Sequence, residues 1–208
     1  MAQQPFISVF LLVQCISVVF SDDYGTTVAN YQYEDYAFDQ FMNTTEPIWV
    51  VNTTRRESPL CIKDVNSNMT TNNETFFTRS YKNNSQYTEK QLKGKFGYHD
   101  QAAAKLFDKM TVYEVNDSKE IDEEILEYLS DSMNCAVVTV LDHSNIELGT
   151  QVWRDLRVKD TYVTNTTSPD YKNCSERFNE IVKLTKKNWT SPYSPECKNA
   201  TGETGKTT

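Results

Sequence analysis

The sequence alternates between short apolar segments and polar turns over most of its length. From residue 48 to residue 161, β-branched and aromatic residues gather in eight such segments. Segments of this kind predict β-strands, and their spacing of roughly 8–15 residues predicts a single antiparallel barrel or sandwich. The predicted strands are Ile48–Thr54, Leu60–Val65, Glu74–Tyr81, Tyr87–Tyr98, Ala104–Val115, Ile121–Tyr128, Cys135–Leu141 and Thr150–Thr161.

One amphipathic helix is predicted after the last strand. Ser168 offers an N-cap, and Pro169 suits the first helical position because its missing N–H would have no partner there. Apolar residues then recur at helical spacing, at Phe178, Ile181 and Val182. We expect a helix over Asp170–Lys187, and a shorter helical stretch before the first strand, near Tyr36–Met42.

The two ends of the sequence differ from this pattern. The apolar run Phe6–Phe20 has the length of a signal-peptide core and is too short for a membrane helix. Val19 and Ser21 suit the small-residue cleavage rule, so we expect a signal peptide at 1–21. Residues 22–42 are then an acidic, tyrosine-rich arm with a short helix, 43–197 form the barrel with its helix, and 198–208 form a disordered tail.

Ten Asn-x-Ser/Thr triplets, none with Pro in the middle, are spread along the chain. Glycan is added only in the secretory route and requires a surface site, so this density predicts a secreted, extracellular glycoprotein. Asn173 precedes Cys174, and we expect its triplet to be poorly used. The predicted glycosylation sites are Asn43, Asn52, Asn68, Asn73, Asn83, Asn116, Asn165, Asn188 and Asn199.

The cysteines and the charge balance narrow the chemistry. Once the signal peptide is removed with Cys15, four cysteines remain, at positions 61, 135, 174 and 197. In a secreted chain they predict two disulfides, with three pairings possible. Their spacing does not suit zinc, and no metal or other cofactor is expected. The 29 acidic against 21 basic residues argue against a nucleic acid or an anionic membrane as partner.

The glycosylation sites also predict which strand residues face the interior. If Asn52, Asn73 and Asn116 point outward, alternation along each strand turns particular neighbours inward. These are Trp49, Val51, Thr53, Phe76, Thr78, Thr111 and Tyr113.

The apolar side chains of the last strand indicate which of its faces lies beneath the helix. They are Val152, Leu156 and Val158. The alternate row would then face inward, and it consists of Gln151, Trp153, Asp155 and Arg157. Inward charges are costly in a solid core, which favours a barrel that encloses a ligand or water.

Several stretches, taken in order, resemble the tick salivary lipocalins, the histamine-binding family of blood-feeding ticks. They are Ala37–Thr54, Cys61, Met133–Val140, Asp155–Val158, Cys174–Val182 and Pro195–Cys197. The resemblance runs from about residue 36 to residue 197 and keeps four cysteines in register. It implies an eight-stranded lipocalin barrel with one C-terminal helix packed outside. It also implies the disulfides Cys61–Cys197 and Cys135–Cys174.

In the amine-binding members of that family, an acidic residue on the last strand is followed two positions later by Trp, and both point into the cavity. The carboxylate pairs with the ammonium group and the indole stacks on it. The corresponding residues here are Asp155 and Arg157. Arg157 would repel an ammonium ion and would suit a carboxylate ligand such as a fatty acid or eicosanoid. An internal pair of Arg157 with Asp155 or a glutamate, without ligand contact, is the remaining interpretation.

The resemblance implies a monomeric binding protein that sequesters a small host mediator, either a biogenic amine or a lipid, and so aids immune evasion. The predicted ligand-binding residues are Trp49, Val51, Phe76, Phe96, Tyr98, Phe107, Tyr113, Trp153, Asp155 and Arg157. No Gly-x-Ser-x-Gly elbow or metal-ligand run is present in the sequence, and we expect no enzymatic activity.

The alternative function is a protein-binding immunomodulator. Tyr24, Tyr31, Tyr33 and Tyr36 lie in an acidic segment, the context in which secretory tyrosines become sulfated. A sulfated arm would suit a basic host protein such as a chemokine, or a complement or clotting factor.

Overall fold

The computed structural model describes residues 36–199, except for residues 85, 103 and 117. The predicted signal peptide, the arm up to residue 35 and residues 200–208 lie outside the described residues. Eight antiparallel strands follow one another in sequence order and close into a barrel, in which β8 pairs with β1. They are β1 (Ile48–Thr53), β2 (Leu60–Met69), β3 (Glu74–Asn83), β4 (Gln86–Gly97), β5 (Lys109–Glu114), β6 (Glu120–Leu129), β7 (Cys135–Asp142) and β8 (Gln151–Lys159). The predicted eight-stranded antiparallel barrel is confirmed.

The largest error in the strand boundaries concerns the start of β5. The prediction began this strand at Ala104, but residues 104–108 belong to the loop between β4 and β5. The backbone of this loop bonds elsewhere: the carbonyl of Phe107 accepts from Phe38 N–H, and that of Asp108 accepts from Leu126 N–H. These contacts take the loop away from the β4–β5 ladder.

The short helix α1 (Phe38–Met42) closes one end of the barrel. Its residues Phe38, Phe41 and Met42 are completely buried. They join an apolar cluster in the barrel interior that extends to Trp153 and also includes Ile48, Phe77, Leu92, Phe96, Met110, Val112, Ile121, Leu126, Leu129, Ala136, Val138 and Val140. The packing is tight at Gly94, where an added Cβ would lie 2.4 Å from Met110 Sδ. The α1 end of the barrel is therefore closely packed.

The long helix α2 (Pro169–Thr185) packs on the outside of the barrel, as predicted. The Ser168 hydroxyl accepts a hydrogen bond from Tyr171 N–H, which confirms the predicted N-cap. Phe178 and Val182 pack against Leu156 and Val158 of β8. Val152 was predicted to face the helix together with Leu156 and Val158. It is exposed, because α2 ends at Thr185 and does not cover the start of β8.

After α2, the C-terminal segment (188–199) runs back across β1 and ends in the short helix α3 (Glu196–Asn199). Thr190 bridges to Thr53, and the carbonyl of Pro192 accepts from Cys61 N–H. The disulfide Cys61–Cys197 fixes this segment to β2, and Cys135–Cys174 fixes α2 to β7. Both pairings implied by the resemblance are confirmed.

Two residues assigned by the sequence to a disordered tail, Lys198 and Asn199, belong to α3 in the structure. The ammonium group of Lys198 lies 3.0 Å from a carboxylate oxygen of Asp160, which holds this helix against the barrel. Among the described residues, no helix has the length and apolar character needed to cross a membrane.

Candidate ligand site in the barrel

A network of charged side chains crosses the middle of the barrel, above the apolar half. We call it the interior ion cluster. It consists of two arginines, Arg79 and Arg157, and four acidic residues, Asp64, Asp122, Glu124 and Asp155. Five of the six are buried, and the side chain of Arg79 keeps 15% of its surface exposed. Alternation along β2, β3, β6 and β8 brings all six to the interior face.

Glu124 lies at the centre of the cluster, between the two guanidinium groups. Arg157 makes a bidentate contact with it, at 2.6 and 2.8 Å, and Arg79 Nη2 lies 2.8 Å from its Oε1. Burial alone would raise the pKa of Glu124, but the charges of Arg157 and Arg79 outweigh it and lower the pKa to about 2. Glu124 is therefore ionised at neutral pH and satisfied by both arginines.

Both guanidinium groups pair with carboxylates of the protein, while Arg157 Nε has no hydrogen-bond partner among the described residues. Arg79 is also bidentate to Asp64, with both N–O distances at 2.8 Å. Arg157 lies 3.7 Å from Asp64 and 3.4 Å from Asp155. Bidentate guanidinium–carboxylate pairs are strong and directional, so a further anion would not readily displace these carboxylates.

Asp122 and Asp155 are less well compensated than Glu124. Asp122 Oδ2 lies 3.4 Å from Arg79, and its Oδ1 has no hydrogen-bond partner among the described residues. Burial and the charge of Glu124 raise the pKa of Asp122 well above its usual value, despite Arg79. Burial also raises the pKa of Asp155, although Arg157 and the Thr53 hydroxyl, 2.6 Å away, oppose this. The cluster therefore has more carboxylates than its arginines can neutralise.

The cluster faces the end of the barrel opposite α1, which we call the mouth. Ile48 pairs with Lys159 at the α1 end, whereas Thr53 pairs with Asp155 toward the other end, where residues 54–59 link β1 to β2. Trp153 lies two residues before Asp155 on the same face of β8 and is 8% exposed. The guanidinium carbon of Arg55 lies 4.6 Å from the centre of the Trp153 ring system. The indole of Trp153 thus lies between the mouth and the carboxylates.

Two solved structures resemble this barrel. A crystal structure of AM182 in complex with serotonin superposes with a TM-score of 0.56 at 16% identity, covering 79% of this chain and 94% of that chain. The bovine lipocalin allergen Bos d 2 superposes with a TM-score of 0.51 at 8% identity, covering 79% of this chain and 98% of that chain. This chain has the lipocalin fold. No family model matches the sequence, and the comparison with curated proteins finds no match.

The lipocalin barrel brings three of the predicted ligand-binding residues together. Trp153, Asp155 and Arg157 all face the interior, in the orientation predicted from the apolar row of β8. Phe96 also faces inward, but at the α1 end, with its ring centroid 6.2 Å from that of Phe38. Phe107 stacks near Phe96, and Tyr98 packs on Phe107 at the rim of the β4–β5 loop, at centroid distances of 6.4 and 5.1 Å. These three rings belong to the closed end rather than to the ion cluster.

Two further predicted residues, Trp49 and Val51, face away from the barrel interior, so the prediction is wrong for their orientation. They pack with α2 and the C-terminal segment, and Trp49 Nε1–H donates to Asp160 at 2.7 Å. A register shift between Val50 and Asn52 changes the alternation within β1. Thr53 consequently faces inward, as predicted.

The orientations predicted for Phe76 and Tyr113 are also wrong. Asn73 lies in the turn before β3 with φ of 57°, so its position does not set the alternation of that strand. Phe77 occupies the interior, and Phe76, with Thr78, takes the opposite face.

On β5, Met110 and Val112 occupy the interior, and Thr111 and Tyr113 take the outer face. Lys93 lies 5.4 Å from the Tyr113 ring on that side. Asn116 follows the end of β5 at Glu114, and a register shift occurs at Tyr113. The position of Asn116 therefore does not indicate which residues of β5 face inward.

Four members of the ion cluster were missed by sequence reasoning: Asp64, Arg79, Asp122 and Glu124. Each is a charged residue within an otherwise strand-like segment. One signal was present, because a buried Arg157 requires carboxylates on neighbouring strands. The residues that supply them depend on strand register, which the sequence does not show.

A depression of about 610 Å³ also opens at the surface, beside the residues that follow α1 and the end of β2. Its lining is mostly polar and consists of Asn43, Thr44, Thr45, Asn66, Ser67, Asn68 and Met69. Two of these residues, Asn43 and Asn68, are predicted glycosylation sites. In the part of the chain that the structure describes, no group of His, Cys, Asp or Glu side chains is placed to hold a metal ion.

The asparagines of the ten triplets are exposed, with the single exception of Asn52. Asn52 is 8% exposed, and its side-chain oxygen accepts a hydrogen bond of 2.8 Å from the Ser191 hydroxyl. A glycan attached there would displace the C-terminal segment. Asn52 therefore points outward, as predicted, but the C-terminal segment covers it, and the expected surface exposure is wrong.

We predict that the folded protein, when it is produced through the secretory route, carries no glycan at Asn52. Glycopeptide mapping by mass spectrometry should find the Asn52 peptide unmodified, while peptides with exposed asparagines such as Asn83 and Asn116 carry sugar. Asn83→Gln and Asn52→Gln form a matched pair: only the first should lower the mass of the intact glycoprotein by one glycan. A glycan at Asn52 in most secreted molecules would contradict the docking of the C-terminal segment.

Proposed function

We propose that this protein is a secreted lipocalin that sequesters a small cationic mediator, such as a biogenic amine, between the mouth and the interior ion cluster. The observation that carries the proposal is the surplus of buried carboxylates. Four acidic residues share two arginines, and Asp122 Oδ1 has no hydrogen-bond partner among the described residues. A buried carboxylate without full compensation is costly, and a bound cation would relieve that cost.

The same geometry disfavours a fatty acid or an eicosanoid. To make a bidentate contact of its own, a ligand carboxylate would have to displace Glu124 from Arg157 or Asp64 from Arg79. It would also enter a region that already carries excess negative charge. Arg157 therefore belongs to an internal ion pair and does not act as an anchor for an acidic ligand.

Access and aromatic contact support an amine further. The side chains of Arg79, Asp122 and Asp155 retain 15%, 8% and 7% exposure, so solvent reaches the cluster. Trp153 offers an indole surface beside it, and indole faces attract cations and aromatic rings. The similar AM182 structure contains serotonin, an amine with an aromatic ring.

Secretion and a host-facing role rest on sequence features. The apolar N-terminal run, the ten glycosylation triplets and the two disulfides favour an extracellular protein. The resemblance to tick salivary lipocalins suggests that the ligand is a mediator of the host's inflammatory response. The protein-binding alternative depends on the tyrosine-rich arm, most of which lies outside the described residues.

Calorimetric titration of the glycoprotein with histamine, serotonin and arachidonic acid tests this proposal. We expect an amine to bind and the fatty acid to fail. Asp122→Asn should weaken amine binding by about 10- to 100-fold, since it removes a charge-assisted contact worth roughly 1.5–3 kcal/mol. Asp131→Asn, in the exposed β6–β7 turn, is the matched control and should bind as the wild type does. Binding of the fatty acid alone, or equal amine affinity in Asp122→Asn, would refute the proposal.

The affinity for an amine should also depend on pH through Asp122. Because the pKa of Asp122 is raised, this group takes up a proton at a higher pH than an ordinary aspartate. A proton and a cationic ligand compete for the same carboxylate, so affinity should rise as the pH increases through that pKa. In Asp122→Asn this part of the pH dependence should disappear.

A further inference from the structure

Arg55 occupies the position on Trp153 that a cationic ligand would take. It lies at the start of the loop 54–59, and its guanidinium carbon stands 4.6 Å from the centre of the indole ring system. A cation at this distance from an indole makes a favourable cation–π contact. Arg55 is only partly buried, so its head group covers the indole while it remains accessible to solvent.

The base of this loop is tied to the same wall of the site. Thr54 N–H donates to the Arg154 carbonyl, and Arg154 N–H donates to the Thr54 hydroxyl, both at 2.9 Å. Arg55 N–H donates to the Thr53 hydroxyl at 3.1 Å, and that hydroxyl donates to Asp155 at 2.6 Å. A chain of hydrogen bonds therefore connects the backbone of Arg55 to a carboxylate of the cluster.

Beyond this fixed base, the next side chains of the loop extend into solvent. Arg56 and Glu57 are exposed, and Glu57 adopts φ of 52°, the left-handed region. Arg55 can therefore exchange its contact with Trp153 for solvent without a change in the barrel. A long side chain of this kind keeps its charge close to water while its stem covers apolar surface.

We propose that Arg55 is a tethered cation that occupies the ligand site and that a cationic ligand must displace. This inference rests on the proposed function. Arg55 limits affinity in two ways: the ligand has to replace a cation–π contact, and the displaced guanidinium stays nearby and repels an incoming ammonium group. Removal of its charge should therefore strengthen the binding of amines.

The first test uses the protein without ligand and follows the reactivity of Trp153 itself. N-bromosuccinimide oxidises accessible indoles, and peptide mapping by mass spectrometry distinguishes Trp153 from Trp49 and Trp189. Arg55→Ala should speed oxidation of Trp153 several-fold, whereas Arg56→Ala, the exposed neighbour, should leave it unchanged. An unchanged rate in Arg55→Ala would show that Arg55 does not cover the indole and would overturn the inference.

The second test is calorimetric titration with histamine, which has no indole. Arg55→Ala should bind it about 2- to 30-fold more tightly, the range expected for loss of one cation–π contact. Arg55→Met keeps the length of the side chain without its charge and should also bind more tightly, while Arg55→Lys should stay close to the wild type. Far-UV circular dichroism and thermal unfolding establish that each variant is folded.

The outcomes separate this inference from the proposed function. Histamine binding that is equal or weaker in Arg55→Ala overturns the inference and leaves the proposed function standing. Absence of amine binding in the wild type and in every variant overturns both, even where Arg55 protects Trp153 from oxidation. Faster oxidation together with tighter histamine binding supports both.

Discussion

Replacement of Arg157 by alanine is expected to destabilise the protein by about 3–5 kcal/mol, because it leaves buried carboxylates without their main counter-charge. Arg157 is 2% exposed and Glu124, its bidentate partner, is completely buried. Arg79 would remain beside Glu124, but Asp155 would lose its only arginine within 4 Å among the described residues. Urea unfolding at pH 7, followed by circular dichroism, measures this change in the free energy of unfolding.

Arg154→Ala is the matched control for this experiment. Arg154 lies on the same strand but on the outer face, where its pair with Glu127 leaves the side chains 19% and 25% exposed. Partly exposed pairs of this kind contribute about 0.2–1 kcal/mol. The double variant Arg157→Ala/Glu124→Gln should recover part of the lost stability, since it removes the stranded charge. Equal effects of Arg157→Ala and Arg154→Ala would contradict the buried network.

Removal of the disulfide Cys61–Cys197 is expected to have an effect of similar size. The bond joins residues 136 apart in sequence. A loop of this length confers about 5 kcal/mol in the chain-entropy model, as an upper value, and loss of a native disulfide typically costs about 2–5 kcal/mol. The variant Cys61→Ala/Cys197→Ala replaces both sulfurs and so leaves no lone thiol. Its free energy of unfolding in urea, compared with the wild type, gives the cost.

The second disulfide provides the comparison. Cys135–Cys174 spans 39 residues, for which the same model gives about 4 kcal/mol. We therefore expect Cys135→Ala/Cys174→Ala to destabilise somewhat less than Cys61→Ala/Cys197→Ala. Only Cys61→Ala/Cys197→Ala should also release the C-terminal segment and expose Asn52 to solvent. Hydrogen exchange of the backbone amides at positions 53 and 61, which donate to Thr190 and Pro192 in the wild type, would detect this release. Retained protection at both amides would show that the segment docks without its disulfide.

The sequence predicted the architecture well because that information is local. Strand-like segments separated by polar turns, an N-cap followed by Pro, and apolar spacing before Lys186 each depend on neighbouring residues. The boundary that failed, Ala104–Asp108, is set by backbone contacts to α1 and β6, which are distant in sequence. Disulfide pairing came from the resemblance, since the cysteines alone leave three pairings open.

The sequence predicted the orientation of site residues correctly only where the evidence lay within a single strand, β8. The apolar row of β8 gave the correct orientation for Trp153, Asp155 and Arg157. Phasing by glycosylation sites failed at Trp49, Phe76 and Tyr113, because turns and register shifts separate those sites from the regular strands. The partners of Arg157 are on other strands, and only the closed barrel brings them within reach of it.

The pairing of β1 with β8 affects the order in which the protein can fold during its synthesis. β1 pairs with β8 and then receives residues 190–192, so the first strand made is completed by the last part of the chain. If the chain is made in the secretory route, Asn52 emerges during translation long before its partner Ser191 and is accessible to the glycosylating enzyme in that interval. A sugar added there would remove the Asn52–Ser191 contact. Sugar transfer to Asn52 and seating of the C-terminal segment would therefore exclude each other in any one molecule.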